Sequence, residues 1–175
     1  MFSKYRQHSL RLQNYDYAAP GAYFITICVQ YRLHLFGNVH GGEMILNAAG
    51  KMIENEWKQL PQRFVHVQLD DFIIMPDHFH AVVWLTPTAE SQSVRSASRR
   101  GTTASNALGD IVGAFKSITT HRYIRGVRAN QWTAFHGRLW QNDYWEHIIR
   151  NQNDLDNVRA YIQTNPLRWQ QHGLT

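Results

Sequence analysis

The amino-acid sequence predicts an α+β fold: a ferredoxin-like antiparallel sheet with two principal helices on one face, plus a further helix at the C-terminal end. Three observations carry that reading. Short runs rich in β-forming residues alternate apolar with polar positions, longer runs space their apolar residues at three and four, and the leading elements come in the order strand, helix, strand, strand. With 175 residues, 43% of them apolar, the chain fills the core of a single domain over residues 1–175.

Each element has its own signal. Tyr23 to Gln30 alternates and is rich in β-formers, which gives a first strand. A turn at Gly41-Gly42 leads to a short strand near Glu43 to Leu46. Asn47 can cap a helix whose apolar residues Ala48, Met52, Ile53 and Leu60 lie at helical spacing, with Pro61 ending it. Val65 to Met75 and His78 to Leu85 form two strands joined by a tight Pro-Asp turn. Residues 86–107 are built from Ser, Thr, Ala and Arg, a composition expected of a mobile, basic connection; its length points to a binding loop. Leu108, Ile111, Val112, Phe115 and Ile118 then make a helical stripe ending near Gly126. An aromatic-rich segment from Gly137 to Ile149 supplies a final strand or extended segment. Asn151 to Asn165 forms the last helix, with Leu155, Val158 and Ile162 toward the sheet.

Composition narrows the function. No apolar run approaches the roughly 20 residues that span a bilayer, and the N-terminus lacks a signal-peptide core, so a cytoplasmic protein without membrane partners is expected. The single cysteine, Cys28, excludes an intrachain disulfide and a multi-cysteine zinc site; it reads as a packing residue. The net charge of +5 is unevenly spread: residues 91–128 hold seven basic residues against Asp110 alone. Arg95, Arg99, Arg100, Lys116 and Arg122 in that stretch, with Lys4, Arg6 and Arg11 near the start, are candidates for contact with a phosphate backbone. Fourteen of the eighteen basic residues are arginine, the side chain better suited to bidentate phosphate contact and to stacking on bases.

The residues with chemical potential form two pairs. In Met75-Pro-Asp-His-Phe-His80, His78 and His80 point to one side of the strand that opens there. Tyr161 and Asn165, four apart just before Pro166, stack on one helix face. Two imidazoles, an amide oxygen and a phenol can form a metal site with a tyrosine nucleophile, a combination suited to DNA strand chemistry. Each pair also has a plainer reading. The histidines can be strand residues bonded to neighbours, since a chain with ten histidines produces such spacings readily. Most tyrosines on amphipathic helices pack their rings and keep a wet hydroxyl.

Four ordered segments carry a resemblance: Tyr15-Asp-Tyr-Ala-Ala-Pro-Gly-Ala-Tyr-Phe-Ile-Thr-Ile-Cys28, Met75-Pro-Asp-His-Phe-His80, Leu108-Gly-Asp-Ile-Val-Gly-Ala-Phe-Lys-Ser117, and Trp140-Gln-Asn-Asp-Tyr-Trp-Glu-His-Ile-Ile-Arg-Asn151 followed by Tyr161-Ile-Gln-Thr-Asn-Pro166. Over nearly its whole length the chain resembles the REP-associated tyrosine transposases and their relatives in the single-tyrosine HUH superfamily. The resemblance implies that His78 and His80 match the family's metal-binding histidines, Tyr161 its nucleophile, and Asn165 the polar third ligand. It implies Mg2+ or Mn2+ as cofactor. The implied substrate is single-stranded DNA flanked by hairpins of the REP palindrome type, and the implied assembly is a monomer or a homodimer, some relatives exchanging the tyrosine helix between subunits. Asp77 and Phe79 stand where Asn and Val are common; neither alters the ligand set.

The expected chemistry follows from those groups. A free tyrosine hydroxyl ionises near pH 10, so it needs assistance to act as a nucleophile. A divalent ion polarises the scissile phosphate and offsets its developing charge. Attack by Tyr161 would leave a 5′-phosphotyrosine and a free 3′ hydroxyl, and one phosphodiester replaces another. No ATP is required, and no phosphate-binding Gly-x-x-x-x-Gly-Lys loop occurs. Trp132, Trp140, Tyr144, Trp145 and Trp169 are candidates for base stacking, while His147 and Glu146 read as structural hydrogen-bond partners. Two other classes stand beside this one. A histidine-triad hydrolase would need a third histidine where Val82 stands. A domesticated protein that binds hairpin nucleic acid without transposition would keep the basic surface alone.

Overall fold

A computed structural model describes residues 19–87 and 107–172. The first strand, β1 (Gly21–Cys28), is buried along most of its length. A short 3-10 turn follows at Gln30–Arg32. Next come β2 (Gly37–His40) and β3 (Glu43–Leu46), paired as a small hairpin. Gly41 and Gly42 make its two-residue turn with φ of 59° and 80°, the positive values that glycine adopts without steric cost. The sequence signal marks β3 and the turn, but not β2, whose Gly-Asn-Val-His is weak in β-formers.

Helix α1 (Ala48–Lys58) begins as the sequence predicts: the Asn47 side chain accepts a 2.9 Å hydrogen bond from the Gly50 amide. Pro61 does not terminate it. The proline sits in the first turn of a separate one-turn helix, α2 (Leu60–Arg63), where a missing N–H removes no bond. Strands β4 (Val67–Met75) and β5 (His78–Leu85) form a hairpin closed at Met75 and His78, with a bulge between Leu69 and Phe72.

Helix α3 (Leu108–Asn130) runs one turn beyond Gly126 and is capped by Gln131 in the left-handed conformation. Gly126 is therefore not a stop signal. A Cβ there would stand 2.2 Å from the indole of Trp132, so the position is glycine because a ring lies on it. The buried stripe also differs from the expected one: Thr119 and Tyr123 continue it and Ile118 is only half-buried. Of the expected extended segment from Gly137 to Ile149, only the last five residues form a strand, β6 (Trp145–Ile149). Helix α4 (Gln152–His172) carries Pro166 inside it and continues past the expected end at Asn165.

The main sheet is antiparallel in the order β4-β5-β1-β6. With α1 and α3 the sequence of elements is β-α-β-β-α-β, the ferredoxin-like arrangement. Alternation along the strands divides the core into two layers. Tyr23, Ile25 and Ile27 of β1 and Phe79, Ala81 and Val83 of β5 pack with Ile53 and Trp57 of α1 and with Ile111, Val112 and Phe115 of α3. On the opposite face Phe24 and Val82 meet Leu155, Val158 and Ile162 of α4. That second layer carries the two histidines. Among the described residues no helix is long and apolar enough to cross a membrane.

Candidate functional site

Because β5 alternates, His78, His80 and Val82 lie on the face that α4 covers. Their antiparallel partners on β1 are Cys28, Thr26 and Phe24, so these line the same face. His78 and His80 are 6% and 4% exposed, and their ring centroids are 4.6 Å apart. The Thr26 hydroxyl is hydrogen-bonded to Nδ1 of His80 at 2.7 Å, and Phe24 stacks on the same imidazole at 5.4 Å.

Helix α4 brings the second pair to the first. Its apolar residues seat it on Phe24 and Val82, which sets its rotation. Tyr161 then stands edge-on to His80, 5.2 Å between centroids, and edge-on to Phe24 at 5.9 Å. Two turns later the Trp169 ring is tilted against His78 at 5.6 Å and also meets His34 at 5.4 Å. Asn165 falls midway between these two contacts on the same helix face and is 6% exposed. The helix reaches His78 only because it passes through Pro166, whose ring deprives the Ile162 carbonyl of its partner without ending the helix. Arg168 covers the Tyr161 ring, its guanidinium carbon 5.4 Å from the centroid.

Two electrostatic features fit a cation. His80 is held well below the ordinary histidine pKa, chiefly by burial and further by His78 and Arg32, so its ring is neutral. Its Nε2 is buried with no hydrogen-bond partner among the described residues. An orphaned ring nitrogen costs about 1–3 kcal/mol unless something meets it, and a neutral imidazole nitrogen is a good ligand for a metal ion. No group of three or more His, Cys, Asp or Glu side chains suited to a metal ion occurs among the described residues. Asn165, buried on the same helix face as Tyr161, carries an amide oxygen that could serve as a third ligand. His78 is itself contacted at Nδ1 by the Asp77 carboxylate, 2.5 Å away, and Asp77 pairs with Arg32 at 2.8 Å.

The remaining candidates divide. Lys4, Arg6, Arg11, Arg95, Arg99 and Arg100 lie outside the described residues. Lys116 is not a free surface cation: its ammonium donates to the carbonyls of Gln141, Asn142 and Asp143, each at 3.1 Å, and burial pulls its pKa down to about 8. Arg122 is half-exposed and pairs with the buried Glu56 at 2.8 Å. Trp140 is core, its indole donating to Thr119 at 2.9 Å, and Trp132 lies on Gly126. Trp145 and Trp169 are half-buried beside the histidine face. Tyr144 packs against the other core layer, with Lys116 over its ring. His147 bonds Asp154 at 2.9 Å, a structural role. Thr26, Arg32 and Arg168 carried no local signal: each joins the site through a partner at least seven residues away or through strand register.

No family profile matches the chain. It is 32% identical over 178 residues to an uncharacterised protein of Haemophilus influenzae, covering 97% of this chain and 93% of the relative. A protein of the same organism described as a putative REP-associated tyrosine transposase is 24% identical over 162 residues, 90% of this chain and 77% of that protein. Among solved structures, a REP-associated tyrosine transposase bound to a REP hairpin shares the fold with a TM-score of 0.55 at 17% identity, covering 95% of this chain and 73% of the other.

Proposed function

We propose that the chain, similar to a putative REP-associated tyrosine transposase in sequence and to a solved one in fold, is a metal-dependent single-strand DNA endonuclease and strand transferase of the HUH type. Its substrate on this reading is hairpin-flanked single-stranded DNA; the solved relative is bound to a REP hairpin. The observation that carries the proposal is the contact of Tyr161 with His80, with Asn165 one helical turn on. A packing tyrosine and a structural histidine pair have no need of each other. Here a half-buried phenol meets two buried imidazoles and a buried amide on one face of the sheet.

His78 and His80, with the side-chain oxygen of Asn165, would hold one magnesium or manganese ion. When bound, the ion supplies positive charge to the scissile phosphate. The chain's own residues do the rest. Tyr161 provides the attacking oxygen: its bond to phosphorus forms as the phosphorus bond to the 3′ oxygen breaks, the phenol loses a proton and the 3′ oxygen gains one. Arg168 and Phe24 hold the ring from face and edge, which limits the orientations the hydroxyl can take. Rejoining runs the same exchange backwards from a second 3′ end. Trp145 and Trp169, beside the histidine face, offer stacking for unpaired bases.

Incubation of the protein with a labelled hairpin-flanked oligonucleotide, with manganese and with chelator, tests the proposal. Cleavage only when the ion is present supports it. Tight hairpin binding without cleavage under either condition supports a binding protein instead.

A further inference from the structure

The turn before β5 and the loop after β1 meet at a buried carboxylate. Asp77 is 2% exposed, and each of its oxygens has one partner: Oδ1 faces Nδ1 of His78 at 2.5 Å and Oδ2 faces Nε of Arg32 at 2.8 Å. Arg32 arrives on a loop tied to the same turn at three backbone points. The Val29 N–H donates to the Asp77 carbonyl at 2.8 Å, and the Leu35 and Phe36 N–H groups donate to the Pro76 carbonyl at 2.8 and 3.2 Å. Between those ties Tyr31 and Arg32 both take left-handed conformations, with φ of 57° and 55°, where side chains other than glycine are uncommon. A second arm of the guanidinium, Nη1, bonds Sγ of Cys28 at 2.9 Å, and Cys28 is the register partner of His78. The loop holds an unfavourable backbone shape, and the result is a guanidinium fixed against a carboxylate that is fixed against one nitrogen of His78.

We propose that Arg32 and Asp77 are positioning residues for His78, dictating its Nδ1–H tautomer and ring orientation so that Nε2 offers its lone pair to a divalent cation. The inference rests on the reading of His78 as a metal ligand. A neutral imidazole has one N–H and one lone pair, and a carboxylate can only accept, so the proton belongs on Nδ1. A carboxylate behind a ligating histidine raises its basicity, and losing such a partner typically costs about 10–100-fold in metal affinity. Arg32 is needed because a buried carboxylate with one oxygen unmatched is costly and free to turn; the planar guanidinium fixes it. His80 is held differently. Its partner at Nδ1 is the Thr26 hydroxyl, which can donate or accept, so only His78 has its tautomer imposed.

Two measurements on the full chain test this. Imidazole nitrogen-15 spectra of metal-free protein should give His78 as the Nδ1–H tautomer in the wild type and as a mixture in Asp77→Ala. Manganese binding, followed by electron paramagnetic resonance, should weaken about 10–100-fold in Asp77→Ala. Asp77→Asn should recover part of that loss, because the amide oxygen still accepts from Nδ1–H while Arg32 loses its own acceptor. Arg32→Met should give a smaller loss than Asp77→Ala, and melting curves confirm that each variant is folded. An Nε2–H tautomer in the wild type, or an Asp77→Ala variant that binds manganese as well as wild type, overturns the positioning role while the metal site stands. A wild type that binds no more manganese than His78→Ala overturns the metal reading and this inference with it.

Discussion

The ring of Tyr161 stands edge-on to that of His80, 5.2 Å between centroids, although 81 positions separate them in the chain. The contact joins a helix on one face of the sheet to the second strand of a hairpin, and its geometry is set by the apolar seating of α4 on Phe24 and Val82. Each part of that arrangement yields a measurable consequence.

Replacing His78 or His80 with alanine should abolish metal-dependent cleavage while the fold persists, because the larger apolar layer beneath α1 and α3 contains neither ring. Thermal melts and nicking assays on the same samples check both halves. Full cleavage by either variant contradicts the ligand assignment.

Binding of single-stranded hairpin DNA should weaken steeply with salt. Neutralising Arg95, Arg99 and Arg100 together should lower the log–log slope by about 2, at roughly 0.7 for each phosphate contact on a single strand. Lys116→Gln should leave the slope unchanged and destabilise the fold instead, because its ammonium holds three carbonyls of the 141–143 segment. Titrations at several salt concentrations separate the two outcomes; an unaltered slope in the triple variant removes those arginines from the interface.

Acid should loosen α4. Its Arg159 donates twice to Asp70 on β4, at 2.9 and 2.6 Å, and Trp84 adds a third bond to that carboxylate. Chiefly through Arg159, the Asp70 carboxyl is pulled down from 3.8 to about 2. A carboxylate with a lowered folded-state pKa stabilises fully above its unfolded value and loses that contribution as pH falls, here between about 4 and about 2. In Arg159→Ala the fall in stability over that window should be shallower, and amides of α4 should exchange faster at neutral pH. An acid profile identical to wild type contradicts the tether.

Gly126→Ala tests the packing reading of α3. Helix propensity favours alanine by about 1 kcal/mol, but the new Cβ would stand 2.2 Å from Trp132, and overpacking of this kind costs about 1–3 kcal/mol. Net destabilisation in a denaturant melt is expected. A stabilised variant would mean that the indole moves aside freely.

Much of this was legible in local periodicity. Alternation put His78 and His80 on one side of a strand, the four-residue interval put Tyr161 and Asn165 on one helix face, and Asn47 marked its helix start. What was hidden depends on pairs far apart in sequence. Thr26 reaches His80 only through the register of β1 with β5. Arg32 meets Asp77 because a loop doubles back onto a turn 45 positions away. Proline and glycine signals misled where tertiary packing overrode them: Pro166 is carried within α4, and Gly126 makes room for a ring. Lys116 looked like one more basic surface residue, and only the fold shows it engaged with backbone carbonyls.

On the proposed mechanism Tyr161 becomes covalently joined to DNA. Tyr161→Phe removes one oxygen and keeps the ring against His80 and Phe24, so hairpin affinity should change little while the adduct disappears. The most direct measurement mixes wild type, Tyr161→Phe and Tyr144→Phe with end-labelled hairpin-flanked oligonucleotide and manganese, and looks for a denaturation-resistant protein–DNA species. That species is expected in wild type and in Tyr144→Phe, whose ring packs against the other core layer, and not in Tyr161→Phe. An adduct that survives Tyr161→Phe, or the absence of any adduct from wild type, contradicts the assignment of Tyr161 as nucleophile.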